Sequence, residues 1–282
     1  MPLKIFKSIT QCTNWINKQK HKTIGLVPTM GALHQGHLSL VRASKKECQI
    51  TIVSIFVNKM QFAPHEDFKQ YPRDLKLDIQ LLKNEKVDVI FYPKSAAMYK
   101  KNFAFKVEEN NIAYKLEGKS RPDFFSGVTT VVCKLFNIVQ PSKAYFGQKD
   151  MQQLIIIKKM VKELNFPIKI KGCPTIRAAN GLAMSSRNQY LTETGLKDAS
   201  IIYQTLLFGA KKIKQKKQSI KTIKQKMKLM LNHKEIKIDY ISIADLNSFN
   251  EIKKHEAQTI IISVALWYQN VRLIDNIIIP RI

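Results

Sequence analysis

The chain reads as an α/β protein, with a parallel sheet covered by helices followed by a smaller α+β module. Three observations predict this. Over the first 175 or so residues, short apolar runs alternate with segments of helical spacing, the pattern of a parallel sheet buried on both faces. Near Pro174 the alternation stops, and two helical stretches within 195–233 precede three strand-like runs. No internal repeat or low-complexity linker interrupts the chain. Its 282 residues suffice for two packed bodies, expected at 1–175 and 176–282.

Each element follows from local pattern. Thr23–Val27, Ile50–Val57, Val87–Phe91, Lys143–Phe146 and Ile168–Lys171 are short apolar runs, and so are expected strands. His37–Glu47, Asp74–Asn84, Gly127–Ile138 and Met151–Leu164 carry apolar side chains at helical intervals. In the second part, helices are expected within 195–233, with Gly209 and a lysine run between and around them, and strands at 236–243, 258–267 and 271–279. In parallel sheets ligands bind beyond the carboxyl ends of the strands. Polar segments stand there, after Val27, Val57, Phe146 and Lys171.

Composition narrows the class. Apolar residues make up 45% of the chain, as in ordinary globular proteins. Met1–Ile16 mixes charge and polarity without a signal-peptide core, and runs such as Thr259–Trp267 are too short to span a bilayer, so no membrane association is expected. Cys12, Cys48, Cys133 and Cys173 form no C-x-x-C pair, which suits free thiols and a cytoplasmic setting. The net charge of +26 is concentrated, with eleven lysines against Glu235 alone in 211–237. That stretch has no aromatic to stack on bases and no arginine. Its Ile213, Ile220, Ile223, Met227 and Met230 fall at helical intervals, so it reads as amphipathic helix with a solvated lysine face, and no nucleic-acid partner is expected. The chain has 40 lysines and 7 arginines, and Arg42, Arg73, Arg121, Arg177 and Arg187 lie in or beside the polar segments. A guanidinium kept where lysine is the default suggests a need for its planar fork.

The most informative segment is Pro28-Thr29-Met30-Gly31-Ala32-Leu33-His34-Gln35-Gly36-His37. It is a strand-to-helix turn, which points backbone N–H groups and the positive end of a helix dipole at whatever lies above it. His34 and His37 are three apart and share a face of the opening turn. The P-loop reading fails, because His37-Leu38 stands where Lys and Ser/Thr are required. No G-x-G-x-x-G is present, and no nearby Cys or His completes a metal site with the two histidines.

Three further segments carry chemistry. Asn58 and Gln61 leave the end of a strand and suit a hydroxyl and a carboxylate together. In Phe146-Gly147-Gln148-Lys149-Asp150, Gly147 permits close approach of a ligand, Asp150 stands where a helix cap belongs, Lys149 can reach an anion, and Gln153 follows on the first turn. Met184-Ser185-Ser186-Arg187 offers two hydroxyls and a guanidinium, a phosphate clamp able to close over a nucleotide.

These segments resemble the pantothenate synthetase (pantoate–β-alanine ligase) family of the nucleotidylyl-transferase superfamily. The resemblance covers most of residues 25–190, in PTMGALHQGH (28–37), FVNKMQF (56–62), YPRD (71–74), SRPDFFSGVTTVVCKLFNIVQP (120–141), FGQKDMQQL (146–154) and NGLAMSSRN (180–188). It implies a Rossmann-like domain with an H-x-G-H turn, and a C-terminal domain and mobile loop that act as a lid. It implies ATP-dependent condensation of D-pantoate with β-alanine through a pantoyl adenylate. The catalytic roles fall on His34, His37, Lys149, Ser185, Ser186 and Arg187. Met30, Asn58, Gln61, Arg121 and Gln153 would bind pantoate. Pro28, Thr29, Met30, Gly36, His37, Gly147, Lys149, Asp150, Ile176 and Met184 would bind ATP, with Asp78 helping to hold Mg²⁺. A homodimer is also implied. Two positions depart from the family pattern: Lys59 replaces a usual proline and Gln148 a usual glutamate. Lys59 is expected to face outward, because Asn58 and Gln61 face the pocket.

Overall fold

A computed structural model describes residues 2–64 and 66–280. In chain order the elements are β1 (Lys4–Phe6), α1 (Ile9–Asn17), β2 (Ile24–Thr29), α2 (Gln35–Glu47), β3 (Ile50–Ile55), α3 (Leu75–Asn84), β4 (Val89–Phe91), α4 (Ser95–Met98), α5 (Glu117–Ser120), α6 (Phe124–Val139), β5 (Lys143–Gly147), α7 (Met151–Glu163), β6 (Lys169–Cys173), α8 (Glu193–Asp198), α9 (Ile201–Gln215), α10 (Ile220–Met230), β7 (Ile236–Asp245), β8 (Thr259–Tyr268) and β9 (Val271–Pro280). They form two compact units, Met1–Ala113 with Arg121–Pro174, and Tyr114–Ser120 with Thr175–Ile282.

The first unit holds a six-stranded sheet in the order β1-β4-β3-β2-β5-β6. Every pairing in it is parallel. Its central strands are apolar on both faces, as parallel strands under helices must be: Leu26, Val27, Ile52 and Val53 have no exposed surface. The helices bury one stripe each, with α2 inserting Leu38, Leu40 and Val41. α6 is buried nearly all round, from Phe125 through Val132.

The strand order fixes where a ligand binds. β2 and β5 are neighbours, yet the chain leaves them in opposite directions, through α2 to β3 and through α7 to β6. Such a reversal opens a crevice at the carboxyl ends of the two strands. The segments emerging there are Met30–His34 and Gln148–Asp150.

In the second unit β7, β8 and β9 form an antiparallel sheet in that order. α9 and α10 supply Leu206, Ile213, Ile223 and Met227 to its core, against Ile243, Ile262, Val264 and Leu266. The lysines of 211–237 lie mostly exposed beyond this core, as the amphipathic pattern requires. Gly209 stands inside α9 and not between helices as expected: a Cβ there would fall 2.7 Å from Met227 Sδ, so the glycine lets the neighbouring helix pack close.

Residues 114–120, which sequence pattern leaves inside the first segment, pack with the second unit. Glu117 is buried and accepts hydrogen bonds from Arg272 Nη1 at 2.6 Å and Nη2 at 2.9 Å. Tyr240 Oη donates to the same carboxylate at 3.2 Å, and Ser120 Oγ bonds to Asp239 at 2.9 Å. These partners lie more than a hundred residues away in sequence, where periodicity carries no signal. Among the described residues no helix is long and apolar enough to cross a membrane. The four cysteines are free thiols.

Candidate active site

The turn after β2 is built on two consecutive left-handed residues, Gly31 (φ +84°) and Ala32 (φ +49°). A Cβ on Gly31 would come within 2.9 Å of Asp78 Oδ2 and 3.1 Å of Ile55 Cγ2, so both conformation and space require glycine. The turn points the N–H groups of Ala32 and Leu33 into one concavity, an anion nest. Asp78, on α3 and 2% exposed, fills it: Ala32 N donates to Oδ2 at 3.1 Å and Leu33 N to Oδ1 at 2.8 Å. Burial pushes the Asp78 carboxyl pKa up, and these two hydrogen bonds pull against that shift. Thr29 Oγ donates to Ser54 O at 2.7 Å and accepts from Gly31 N at 3.2 Å, so its hydroxyl also braces the turn. This corrects one sequence expectation. The N–H groups of Ala32 and Leu33 face the protein's own carboxylate and not an external phosphate. Asp78 turns one oxygen to each of those amides. Among the described residues no three His, Cys, Asp or Glu side chains cluster to hold a metal.

His34 follows as the N-cap of α2, with φ −138° and ψ 174°. Its Nδ1 accepts from Gly36 N at 3.1 Å, which leaves the neutral ring's proton on Nε2. His37 stands in the first turn, with its ring centroid 4.1 Å from that of His34 and the planes 37° apart. His37 Nδ1 is buried with no hydrogen-bond partner. Burial and the nearby Lys149 ammonium push the His34 pKa down to about 4, with Asp150 opposing. Burial, His34 and Lys149 hold His37 well below the usual histidine range. The site therefore combines two neutral imidazoles with one cation whose field reaches both.

That cation stands in the single 3-10 turn Gln148–Asp150 after β5. Gly147 has ordinary extended dihedrals (φ −78°, ψ 140°), and a Cβ there would meet nothing within 4 Å. Neither backbone nor packing requires this glycine, so what its missing side chain provides is open space. Asp150 flanks α7 but makes no capping bond, contrary to expectation; its Oδ1 lies 3.5 Å from Lys149 Nζ. Gln153 is half-buried, while Gln152 turns inward and donates to Ile112 O at 2.8 Å. Pro28 and Met30 are half-buried at the carboxyl end of β2, and Gly36 lies in the first turn of α2.

Asn58 has no exposed surface. Its Nδ2 donates to Gln61 Oε1 at 2.9 Å and to Gly127 O at 3.0 Å, and its Oδ1 accepts from Met60 N at 3.3 Å. Buried in this way, it orients Gln61. Arg121 grips Glu66 with two bonds of 2.7 and 2.6 Å, donates to Gln61 O at 3.0 Å and stacks 3.8 Å over Phe124. It too supports the Gln61 loop. Sequence reasoning singled out neither Glu66 nor Gly127. A Cβ on Gly127 would lie 2.1 Å from Met60 O, so the loop rests directly on α6. Lys59 is exposed, as expected.

The second unit carries the remaining residues. Met184 N donates to Ile176 O at 2.9 Å and Arg177 bridges Ala183, so Ile176 and Met184 sit opposite each other in a tight hairpin. Arg177 ties it to β9 through Asp275 at 2.5 and 3.0 Å. Ser185 caps the following 3-10 turn by accepting from Arg187 N at 3.3 Å, with Ser186 buried beside it.

The profile of the family described as pantoate-beta-alanine ligase matches residues 4–278. A pantothenate synthetase of Caldicellulosiruptor bescii is 49% identical over 93% of each chain. One of Thermosipho melanesiensis is 45% identical over 98% of this chain and 99% of its own. The crystal structure of pantothenate synthetase from Thermus thermophilus has a TM-score of 0.92 at 37% identity, covering 97% of this chain and 98% of its own. A pantoate-beta-alanine ligase from Francisella tularensis, complexed with beta-gamma ATP and beta-alanine, has a TM-score of 0.81 at 38% identity over 98% and 97%.

Two outcomes follow from this geometry. Below about pH 6.5 unfolded histidines take up protons, whereas folded His34 stays neutral until about pH 4. The unfolded state then binds more protons, so stability falls as pH drops through that window and is flat above it. Urea unfolding should show this slope, and His37→Asn should lessen it; an unchanged slope contradicts the buried neutral ring. Lys59 opens a helical turn after extended Asn58 (φ −85°, ψ 106°), a position that suits proline. Lys59→Pro should raise stability by about 0.4–1 kcal/mol, and a lower unfolding midpoint contradicts this.

Proposed function

The chain belongs to the pantoate–β-alanine ligase family, and from that premise we propose how its residues carry out the reaction. D-pantoate and β-alanine condense with ATP to give pantothenate, AMP and pyrophosphate. In the first half-reaction a pantoate carboxylate oxygen attacks the α-phosphorus, and the bond to the bridging oxygen of pyrophosphate breaks. In the second, the β-alanine amine attacks the carbonyl carbon of pantoyl adenylate, AMP leaves, and the amine loses a proton. The carboxylate is a nucleophile as it stands and the amine becomes one when its ammonium gives up a proton to solvent, so catalysis rests on positioning and on stabilising charge that spreads over the phosphates.

The observation that carries this reading is the pair of neutral imidazoles beside Lys149 at the sheet's switch point. Neutral rings serve as N–H donors, and His34 is set up to donate from Nε2. Lys149 adds the positive charge. Such preorganised donors act strongly where water is excluded. Ser185, Ser186 and Arg187 take the phosphate role that their motif implies. Gln61, oriented by Asn58 and Arg121, binds pantoate with Met30 and Gln153. The open space at Gly147 receives the nucleotide, with Pro28, Thr29, Gly36, Asp150, Ile176 and Met184 contributing to its binding. Magnesium arrives with ATP as part of the substrate, held by phosphate oxygens, as this ion commonly is. A homodimer and a cytoplasmic location complete the proposal.

AMP release from ATP should require both pantoate and β-alanine. His37→Ala and Lys149→Ala should keep the fold while each lowers turnover by about 10²–10³. Near-normal turnover in a folded His37→Ala protein contradicts the assignment.

A further inference from the structure

The turn that carries the two histidines contains an anion nest, and the protein fills that nest itself. Asp78 reaches it from α3, more than forty residues along the chain, and is 2% exposed. Its two oxygens take the N–H groups of Ala32 and Leu33 at 3.1 and 2.8 Å. Leu33 directly precedes His34, the N-cap residue whose ring then closes onto Gly36 N. Gly31 leaves the carboxylate just enough room. Three consecutive residues before the first histidine are thus fixed by one side chain, two through hydrogen bonds and one through the space that it must leave empty.

We propose that Asp78 is the positioning residue of the ATP site: its carboxylate fills the Gly31–Leu33 nest, sets the start of α2 and so aims His34 and His37, and it does not ligate the magnesium of ATP. A buried carboxylate held by backbone amides is an internal substitute for a phosphate. It rigidifies the loop before any substrate binds and directs the substrate's phosphates to the histidine side chains. This rests on the reading that the histidines hold phosphate, although the nest itself does not.

Two variants and one measurement on the unaltered enzyme test it. Asp78→Asn keeps the shape but offers one acceptor in place of two and turns an NH₂ toward a backbone N–H. Asp78→Glu keeps the charge and any metal affinity but places the carboxylate one methylene too far. Both should lower kcat by roughly 10–100-fold, the range seen when a group that orients a ligand-binding side chain is lost. KM for pantoate and the half-saturating Mg²⁺ concentration should stay the same. Recovery of kcat in Asp78→Asn at high Mg²⁺, or normal activity in Asp78→Glu, would identify a metal ligand and overturn the proposal. Hydrogen exchange on the wild-type protein keeps the test decisive if a variant fails to fold. The Ala32 and Leu33 amides should be protected without ATP or Mg²⁺, and free exchange at both would also overturn it. Absence of pantothenate formation by the wild type would instead refute the functional reading and leave the exchange result standing.

Discussion

The contact on which the site depends is the buried carboxylate of Asp78 bonded to the N–H groups of Ala32 and Leu33. The turn after β2, with its two left-handed residues, leaves backbone donors pointing together into a low-dielectric interior. Unpaired, they would each cost about 1–3 kcal/mol. Pairing them with an internal anion satisfies the donors and fixes the path of the chain into α2. His34 can then cap that helix with Nδ1, and His37 lies against it. The histidines' geometry is inherited from a residue on another helix.

The same burial that makes the Asp78 contact strong also sets the charge state of the site. Two imidazoles packed at 4.1 Å beside an ammonium cannot both accept protons near neutrality, so the pocket relies on Lys149 for its charge. This suits adenylate chemistry. A triphosphate brings its own charge and magnesium, and needs aimed donors more than further cations. The Gln61 loop follows a similar rule, being held by Asn58, Arg121 and the close approach of Gly127.

Much of the fold was legible because its signals are local. β3 and the other inner strands announce themselves as unbroken apolar runs, and observed element ends lie within a few residues of expectation. β1 was not found because three residues of mixed character carry no period, and the nine-residue α1 was missed beside it. What sequence could not show was which polar groups the protein keeps for itself. Arg42 is engaged by Glu85, Arg73 by the Phe68 and Lys69 carbonyls, Arg121 by Glu66 and Arg177 by Asp275. A planar fork recognises protein carboxylates as well as it does ligands. The internal partners of Asn58 and Asp78 were likewise hidden, because the donors at Met60, Ala32 and Leu33 are backbone groups invisible to residue type. Lys149 and His37 stood out because ordinary helix-capping does not account for them, whereas His34 is itself the cap of α2.

In the proposed two-step reaction the histidine turn and Lys149 act on the phosphates before the amine is needed. The most direct measurement is exchange of labelled pyrophosphate into ATP with pantoate present and β-alanine omitted. Exchange that depends on pantoate alone is the expected result. A strict requirement for β-alanine would mean that amide formation and phosphate departure are concerted, and would contradict the adenylate mechanism.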